Sequence, residues 1–475
     1  MPTEPPALDP EAFRAQAHQL VDWMADYLAQ VGDYPVQPNC APGDIRARIP
    51  PAPPQTAEPF ERIVADFQQV ILPGITHWGH PGFFGYFPAN TSPPSILAEM
   101  LTATLGAQCM SWNTSPAATE LEQVMLEWLR QMLGLPEQFT GVIQDTASTA
   151  TLVALITARD AAVGRSGGRG AGQLDRLTMY TSAEANSSVP KGARLAGFAP
   201  ANIRLVETDD AAAMSLAALE HAIAADQAAG LLPACVVATV GTTGSTAIDP
   251  VPGIAALCRR EQLWLHVDAA FAGSAAILPE LRWILHGAEL ADSLVFNPHK
   301  WLLVNFDCSA YFVRDRQALL RSFGASAEIL KAHYDDGVVN YRDWGIQLGR
   351  RFRALKLWFV IRSYGVAGLQ AMLREHIRLG KLFADWLDAH PDFERVGAAP
   401  LATVCFRLRG TDGNADALNQ QLLARLNATG KLFLTGTRLK GQYVLRLALG
   451  HLTTTEAEVR KAWELIQEEA RRLGG

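Results

Sequence analysis

The sequence predicts an α/β protein with a largely parallel central sheet, because short apolar runs alternate with a helix-like stretch. The apolar runs occupy residues 235–240, 263–267 and 293–296. Residues 252–262, between the first two runs, have the pattern of a helix. Strands separated by helices form parallel sheets, and ligands bind at the carboxyl ends of such strands. We therefore expect the functional site near Asp268 and Asn297, which directly follow two of the runs.

Helical and strand patterns also flank this central region. Apolar residues at helical spacing predict helices over residues 11–30, 60–72, 353–364 and 454–473, with a second helix continuing past Gly365 to residue 387. Short apolar runs predict strands over 402–408 and 443–447. A Pro-rich connector over residues 34–59 separates the first two helices and is expected to be extended. This order predicts an N-terminal helical segment, a large central domain and a small C-terminal α+β domain.

Composition excludes several classes of protein. The 475 residues are 49% hydrophobic and 19% charged, with a net charge of −7, which argues against nucleic acid or an anionic membrane as the main partner. No run of about 18 apolar residues is free of charges, Gly and Pro, so no transmembrane helix is expected. The six cysteines form no CxxC pair, which disfavours a zinc site and a disulfide scaffold. The acidic, Pro-rich start lacks a signal-peptide pattern, and a cytoplasmic location is expected.

A lysine in the motif Asn297-Pro298-His299-Lys300-Trp301 is the first candidate for chemistry. It comes just after an apolar run, where a buried ammonium must be neutralised or paired. A Schiff base with a carbonyl cofactor such as pyridoxal 5′-phosphate (PLP) would neutralise it. Taken alone, however, the motif fits a surface lysine after a strand better.

Three further segments strengthen the PLP interpretation. Asp268 offers a carboxylate that would keep a pyridine nitrogen protonated. Residues 144–149 place small hydroxyl side chains before a helical run, where free N–H groups bind a phosphate. Residues 241–244 form a glycine-rich loop that allows close backbone approach to a ligand. Asp268 and residues 144–149 would each fit simple helix capping if considered singly, but together the segments predict one PLP site.

On these motifs the chain resembles the group II PLP-dependent decarboxylases, the aromatic-L-amino-acid decarboxylase family, over nearly its whole length. The motifs that carry the resemblance are Tyr86-Phe87-Pro88, Ser111-Trp112, Glu120-Leu121-Glu122, Gly241-Thr242-Thr243, residues 266–270, 297–301 and 305–309, residues 348–353 and Leu355-Lys356. The resemblance implies PLP fold type I, which is aspartate-aminotransferase-like. It also implies a dimerisation segment over residues 1–80, a PLP-binding domain over 81–365 and a small domain over 366–475.

The resemblance also implies roles for the matching residues. Lys300 would carry the cofactor as an aldimine, and Asp268 would pair with its ring nitrogen. The phosphate would be held by Ala147, Ser148, Asn297 and His299, while Thr243 would assist Asp268 or the ring and Ala270 would pack on the ring face. Trp78, Tyr86 and Phe87 would line the substrate pocket. A second subunit of an obligate homodimer would complete the site with Gln108, Met110, Phe306 and Gly349.

Two departures from the family pattern fall on catalytic positions. The family has a His at position 186, which stacks on the cofactor ring and handles protons, but this chain has Asn186. The family has a Tyr at position 329, which protonates the α-carbon after CO₂ leaves, but this chain has Ile329, which has no proton to donate. Tyr334 is an alternative acid if the loop folds differently. A third departure is Ala89, where the family usually has a Thr that contacts the substrate carboxylate.

These departures predict the reaction. Decarboxylation does not depend on positions 186 and 329, but the protonation that follows does, and general acid catalysis contributes roughly 10²- to 10⁴-fold in rate. The expected reaction of an aromatic L-amino acid is therefore O₂-dependent, giving an aromatic acetaldehyde, CO₂, NH₃ and H₂O₂. The alternatives are simple decarboxylation to the arylalkylamine, aldol cleavage of a β-hydroxy amino acid, and a non-catalytic PLP-binding paralogue. Intact Lys300, Asp268 and His299 argue against the last.

Overall fold

The computed structural model describes residues 8–166, 173–324, 337–410 and 413–474. Within these ranges the α-helices are α1 Pro10–Gln30, α2 Asp44–Arg48, α3 Phe60–Asp66, α4 Pro93–Leu105, α5 Pro116–Leu133, α6 Ala147–Arg165, α7 Ser188–Leu195, α8 Leu216–Ala228, α9 Val251–Glu261, α10 Pro298–Trp301, α11 Arg316–Phe323, α12 Arg353–Asp388, α13 Ala415–Ala428 and α14 Glu456–Gly474. The strands are β1 Thr140–Gln144, β2 Leu177–Ser182, β3 Ile203–Val206, β4 Leu232–Thr239, β5 Trp264–Asp268, β6 Ser293–Phe296, β7 Ser309–Val313, β8 Phe393–Arg395, β9 Thr403–Leu408, β10 Thr435–Leu439 and β11 Gln442–Ala448.

The first seven strands form one sheet in the order β1-β7-β6-β5-β4-β2-β3. The pairs β2–β3, β2–β4, β4–β5 and β5–β6 are parallel, and only β7 runs antiparallel to its neighbours β1 and β6. The central strands β5 and β6 are buried at every residue, as expected for a sheet covered by helices on both faces. The predicted α/β class and the largely parallel sheet are confirmed.

The last four strands form a second, antiparallel sheet in the order β10-β11-β9-β8. Helices α13 and α14 accompany this sheet, so the C-terminal part is α+β. The long helix α12 precedes it and runs through the predicted boundary at residues 365 and 366, with a kink where Gly365 has φ 65°. The division into three domains therefore stays a prediction, although Gly365 marks a change of helix direction near the expected position.

The N-terminal part is helical, as predicted, but it is thinly packed in this single chain. Helix α1 contains no buried residue. Its contact with the remainder includes a hydrogen bond of 2.8 Å between the Tyr27 hydroxyl and Nδ1 of His77. None of the helices in the described ranges has the length and apolarity needed to cross a membrane.

Candidate active site

The ends of three neighbouring strands meet at one crevice. The N–H of Val240, after β4, donates to the carbonyl of Asp268 at 2.8 Å, and the N–H of Asn297, after β6, donates to the carbonyl of Ala270 at 3.0 Å. Gly241 has φ 86°, and a Cβ there would lie 2.5 Å from Cβ of Ala272, so the close turn after β4 requires glycine. The structure thus brings together the loops that the sequence analysis selected.

Lys300 and Asp268 form the charged pair of this crevice. Burial lowers the pKa of the Lys300 amine to about 8, with the nearby Asp268 opposing the shift and Arg446 adding to it. Burial also raises the pKa of Asp268, while Lys300 and the N–H of Ala270, which donates to Oδ1 at 3.0 Å, favour its charged form. Each group therefore stabilises the charge of the other in a site of low dielectric constant.

Hydrogen-bond donors for an anion lie at the start of α6 and after β6. Ala147 and Ser148 are the first residues of α6, whose first N–H groups have no partner within the helix. The Ser309 hydroxyl donates to Oδ1 of Asn297 at 2.7 Å, which leaves the amide hydrogens of Asn297 for another acceptor. The N–H of Cys308 donates to Nδ1 of His299 at 2.9 Å, so Nε2 of the neutral ring carries the hydrogen. Burial lowers the pKa of His299 to about 3 and keeps it neutral.

Asn186 contacts the loop after β4. Its Nδ2 donates to Oγ1 of Thr243 at 3.0 Å, and its Oδ1 accepts the N–H of Ser188 at 2.9 Å. Both ends of the amide are therefore engaged, and the side chain is held between α7 and the Gly241–Gly244 loop. The predicted companion at position 329 cannot be placed, since Ile329 and Tyr334 lie outside the described residues.

A buried arginine is the main site residue that the sequence analysis missed. Arg446 on β11 is 3% exposed, and burial lowers its pKa to about 10. Its Nε donates to the carbonyl of Gly244 at 3.2 Å and its Nη1 donates to the carbonyl of Tyr86, but its buried Nη2 has no hydrogen-bond partner among the described residues. The signal was present, because a charged residue interrupts the apolar run 443–447.

Phe87 lies beneath this arginine. Its ring stacks on Phe271 with centroids 4.0 Å apart and planes at 11°. The guanidinium carbon of Arg446 lies 4.4 Å from the Phe87 centroid, and Nζ of Lys300 lies 5.1 Å from it. The ring therefore contacts Phe271 and lies within cation–π distance of two cations, and its place in the wall of the substrate pocket stays a prediction.

The other predicted pocket residues lie at three places. Trp78 and Tyr86 stack on each other at 5.6 Å and 16°, and are 36% and 53% exposed. Oε1 of Gln108 accepts the N–H of Arg350 at 2.7 Å, beside Gly349, and Met110 lies in the same segment. Phe306 is 58% exposed and its ring lies 4.8 Å from that of His299. The single chain leaves three of these aromatic rings open to solvent or to a second chain.

The side chains present fit PLP. The crevice holds a buried amine with a lowered pKa, a buried carboxylate beside it, and donors at a helix N-terminus suited to a phosphate. The unpaired Nη2 of Arg446 supplies one more buried donor, which is suited to a carboxylate.

Comparison with known proteins agrees with this chemistry. A family model described as the pyridoxal-dependent decarboxylase conserved domain matches residues 42–409. The chain is 44% identical over 476 residues to aromatic-L-amino-acid decarboxylase of Rattus norvegicus, with 97% of this chain and 98% of that protein covered. It is 43% identical over 476 residues to phenylacetaldehyde synthase of Arabidopsis thaliana, with 98% and 96% covered.

A solved structure shows the same similarity in three dimensions. The crystal structure of Oryza sativa TDC with PLP and tryptamine superimposes with a TM-score of 0.97 at 41% identity, with 99% of this chain and 100% of that chain covered. The chain therefore belongs to the group II decarboxylases of the aromatic-L-amino-acid decarboxylase family and is a carboxy-lyase whose cofactor is pyridoxal 5′-phosphate.

Proposed function

We propose that this enzyme converts an aromatic L-amino acid, O₂ and water into an aromatic acetaldehyde, CO₂, NH₃ and H₂O₂. The observation that carries the proposal is Asn186, an amide held by Thr243 and Ser188 at a position where an acid would be needed. In this reaction the α-carbon is oxidised from an amine to an aldehyde, and O₂ takes up the two electrons as peroxide. The atoms balance with one O₂ and one water consumed for each CO₂ released.

Seven residues are proposed to hold the cofactor. Lys300 binds its carbonyl carbon, and Asp268 accepts a hydrogen bond from its ring nitrogen. Ala147, Ser148, Asn297 and His299 donate to its phosphate, and Ala270 packs against its ring. When bound, the cofactor withdraws the electron pair that CO₂ leaves behind on the α-carbon. Asp268 makes this withdrawal stronger because a carboxylate keeps the ring nitrogen protonated.

Arg446 is proposed to bind the substrate carboxylate. Its Nη2 is the buried donor without a partner, and a carboxylate forms short, strong hydrogen bonds with a guanidinium. The backbone carbonyl of Tyr86, whose ring stacks on Trp78, accepts a hydrogen bond from Nη1 of Arg446. An aromatic side chain fits beside these exposed rings. The names of the relatives, aromatic-L-amino-acid decarboxylase and phenylacetaldehyde synthase, agree with an aromatic substrate.

The proposed oxygen chemistry depends on slow proton delivery. The Asn186 amide is not an acid, and the hydrocarbon side chain of Ile329 has no proton to give. Asn186 donates a hydrogen bond to the Thr243 hydroxyl, which is not an acid either. The electron-rich α-carbon therefore persists long enough to react with O₂. The similarity to a phenylacetaldehyde synthase supports this outcome, whereas the similarity to decarboxylases supports the competing one, release of the amine.

A homodimer is proposed from an apolar stripe on α4. Leu97, Leu101 and Leu105 are spaced four residues apart and are 51%, 46% and 63% exposed. The stripe leads directly to Gln108, one of the residues expected at a shared wall. Exposed apolar patches of this kind mark interfaces, and the commonest interface between identical chains is a two-fold one. A second chain would also cover α1, which has no buried residue here.

The rate of cofactor uptake by the apoenzyme tests the environment of Lys300. The neutral amine is the reactive form, and burial lowers its pKa from 10.5 to about 8. The uptake rate, followed by visible absorbance, should therefore rise with pH and level off above pH 8. Nα-acetyl-lysine, measured under the same conditions, should continue to gain rate up to its ordinary pKa. If the rate of cofactor uptake by the protein still rises up to pH 10, the reacting amine is exposed to solvent and is not the buried Lys300.

Oxygen stoichiometry tests the proposed reaction. With an aromatic L-amino acid, the unaltered enzyme should consume about one O₂ and release about one peroxide per CO₂. Asn186→His with Ile329→Tyr should shift the product from aldehyde to amine at similar CO₂ release, because a tenfold gain in protonation rate needs only about 1.4 kcal/mol. Asn186→His with Ile329→Phe adds a ring without a hydroxyl and serves as the matched control. Amine formation without oxygen uptake by the unaltered enzyme would refute the aldehyde proposal.

Sedimentation tests the dimer. Leu101→Glu places a charge in the middle of the α4 stripe and should shift the protein towards the monomer, because burying an unpaired carboxylate in an apolar contact is costly. Leu195→Glu is the control, since Leu195 on α7 is also exposed, at 66%, but lies outside the stripe. A fully active monomer in the unaltered protein would contradict the proposed assembly.

A further inference from the structure

We propose that Asn90 is a positioning residue for Lys300, acting on the backbone that carries the amine. Asn90 lies between Pro88 and α4 and is 2% exposed. Its Nδ2 donates to the carbonyl of Lys300 at 2.7 Å and to the carbonyl of Gly450 at 2.7 Å. An amide nitrogen has two hydrogens, so both carbonyls are satisfied by one side chain. The inference rests on the proposed function of Lys300 as the residue that binds the cofactor.

The two carbonyls belong to the two segments that carry the cations of the site, Lys300 and Arg446. Lys300 lies in the short helix α10, which follows β6, and Gly450 follows β11, the strand that carries Arg446. One substrate must reach both side chains, because its α-carbon reacts next to Lys300 and its carboxylate is proposed to bind Arg446. Asn90 bridges the two backbones and so fixes the spacing between amine and guanidinium. Errors of about 1 Å in such an arrangement can lower the rate by about 10²-fold.

The backbone around Lys300 needs such external support. Only three residues further on, Leu303 has φ 59°, in the left-handed region that a branched side chain rarely adopts. Such conformations persist when surrounding contacts hold them in place. The Ser92 hydroxyl donates to the carbonyl of Leu303 at 2.7 Å, and the Ser95 hydroxyl donates to Oδ1 of Asn305. The segment from Asn90 to Ser95 therefore binds the lysine loop at three successive points.

Ser92 provides a matched control for Asn90. Both side chains are buried, both donate at 2.7 Å to a carbonyl of the same loop, and both lie in the same segment. Only Asn90 binds the lysine itself and links it to Gly450. A purely structural function predicts a loss of stability in both variants, larger for Asn90, because removing Asn90 leaves two buried carbonyls without a donor and removing Ser92 leaves one. A positioning function predicts that only Asn90 affects the chemistry of Lys300.

The test compares Asn90→Ala and Asn90→Asp with Ser92→Ala in the cofactor-loaded enzyme. Asn90→Asp keeps the shape but removes both donors, and Asn90→Ser is the milder variant if either of these fails to fold. We expect both Asn90→Ala and Ser92→Ala to lower Tm, with the larger loss in Asn90→Ala, which removes two hydrogen bonds. The Asn90 variants should also lose kcat by about 10²-fold with a smaller change in KM. They should shift the pH at which the visible absorbance of the bound cofactor titrates, whereas Ser92→Ala should leave that pH unchanged.

Equal effects of Asn90 and Ser92 variants on kcat and on the absorbance titration would overturn the inference. Failure of the proposed function is recognised separately with Lys300→Ala. Borohydride reduction and peptide mass mapping should find the cofactor attached to Lys300 in the unaltered protein and attached nowhere in that variant. If Lys300→Ala retains a cofactor that borohydride attaches to the protein, Lys300 is not the residue that binds the cofactor. If Lys300→Ala retains no such cofactor, but the Asn90 and Ser92 variants behave alike, only the proposed function of Asn90 is wrong.

Discussion

Burial of an amine beside a carboxylate at the ends of parallel strands is the constraint on which this site depends. A lone buried ammonium or carboxylate is costly, so each would lose its charge if the other were removed. Lys300 and Asp268 avoid this by lying together in one crevice, where burial lowers the pKa of the amine and raises that of the acid. The same desolvation favours the neutral, reactive form of the amine, and in the proposed site it would strengthen the interaction of Asp268 with a protonated ring nitrogen of the cofactor.

A column of stacked rings organises the groups around this pair. Phe87 stacks on Phe271, and Phe271 stacks on Trp301 with centroids 4.5 Å apart. Nε1 of Trp301 donates to Nδ1 of His376 on α12 at 3.0 Å. The column thus connects the residue after Lys300, the segment after Asp268 and the long helix. The guanidinium of Arg446, from the C-terminal sheet, packs on the Phe87 ring at the end of this column.

The features predicted from the sequence are those that local pattern determines. Apolar runs that end in a polar residue predicted β4, β5 and β6 and the crevice at their ends, and the family, fold class and PLP cofactor are confirmed. The contacts of Arg446 and Asn90 were not predictable, because each joins segments that are distant in the chain. Phe87 shows the same limit, because its contacts with Phe271 and Arg446 also join segments that are distant in the chain. Domain limits, the homodimer and the functions of individual residues stay predictions.

The protonation state of the cofactor's ring nitrogen tests the central claim most directly. It can be measured by ¹⁵N NMR on the enzyme loaded with PLP labelled at that nitrogen. We predict a protonated nitrogen in the unaltered enzyme at pH 7 to 8, and an unprotonated one in Asp268→Asn, because a neutral amide does not favour the pyridinium cation. An unprotonated nitrogen in the unaltered enzyme, or the same shift in both proteins, would show that Asp268 does not pair with the cofactor.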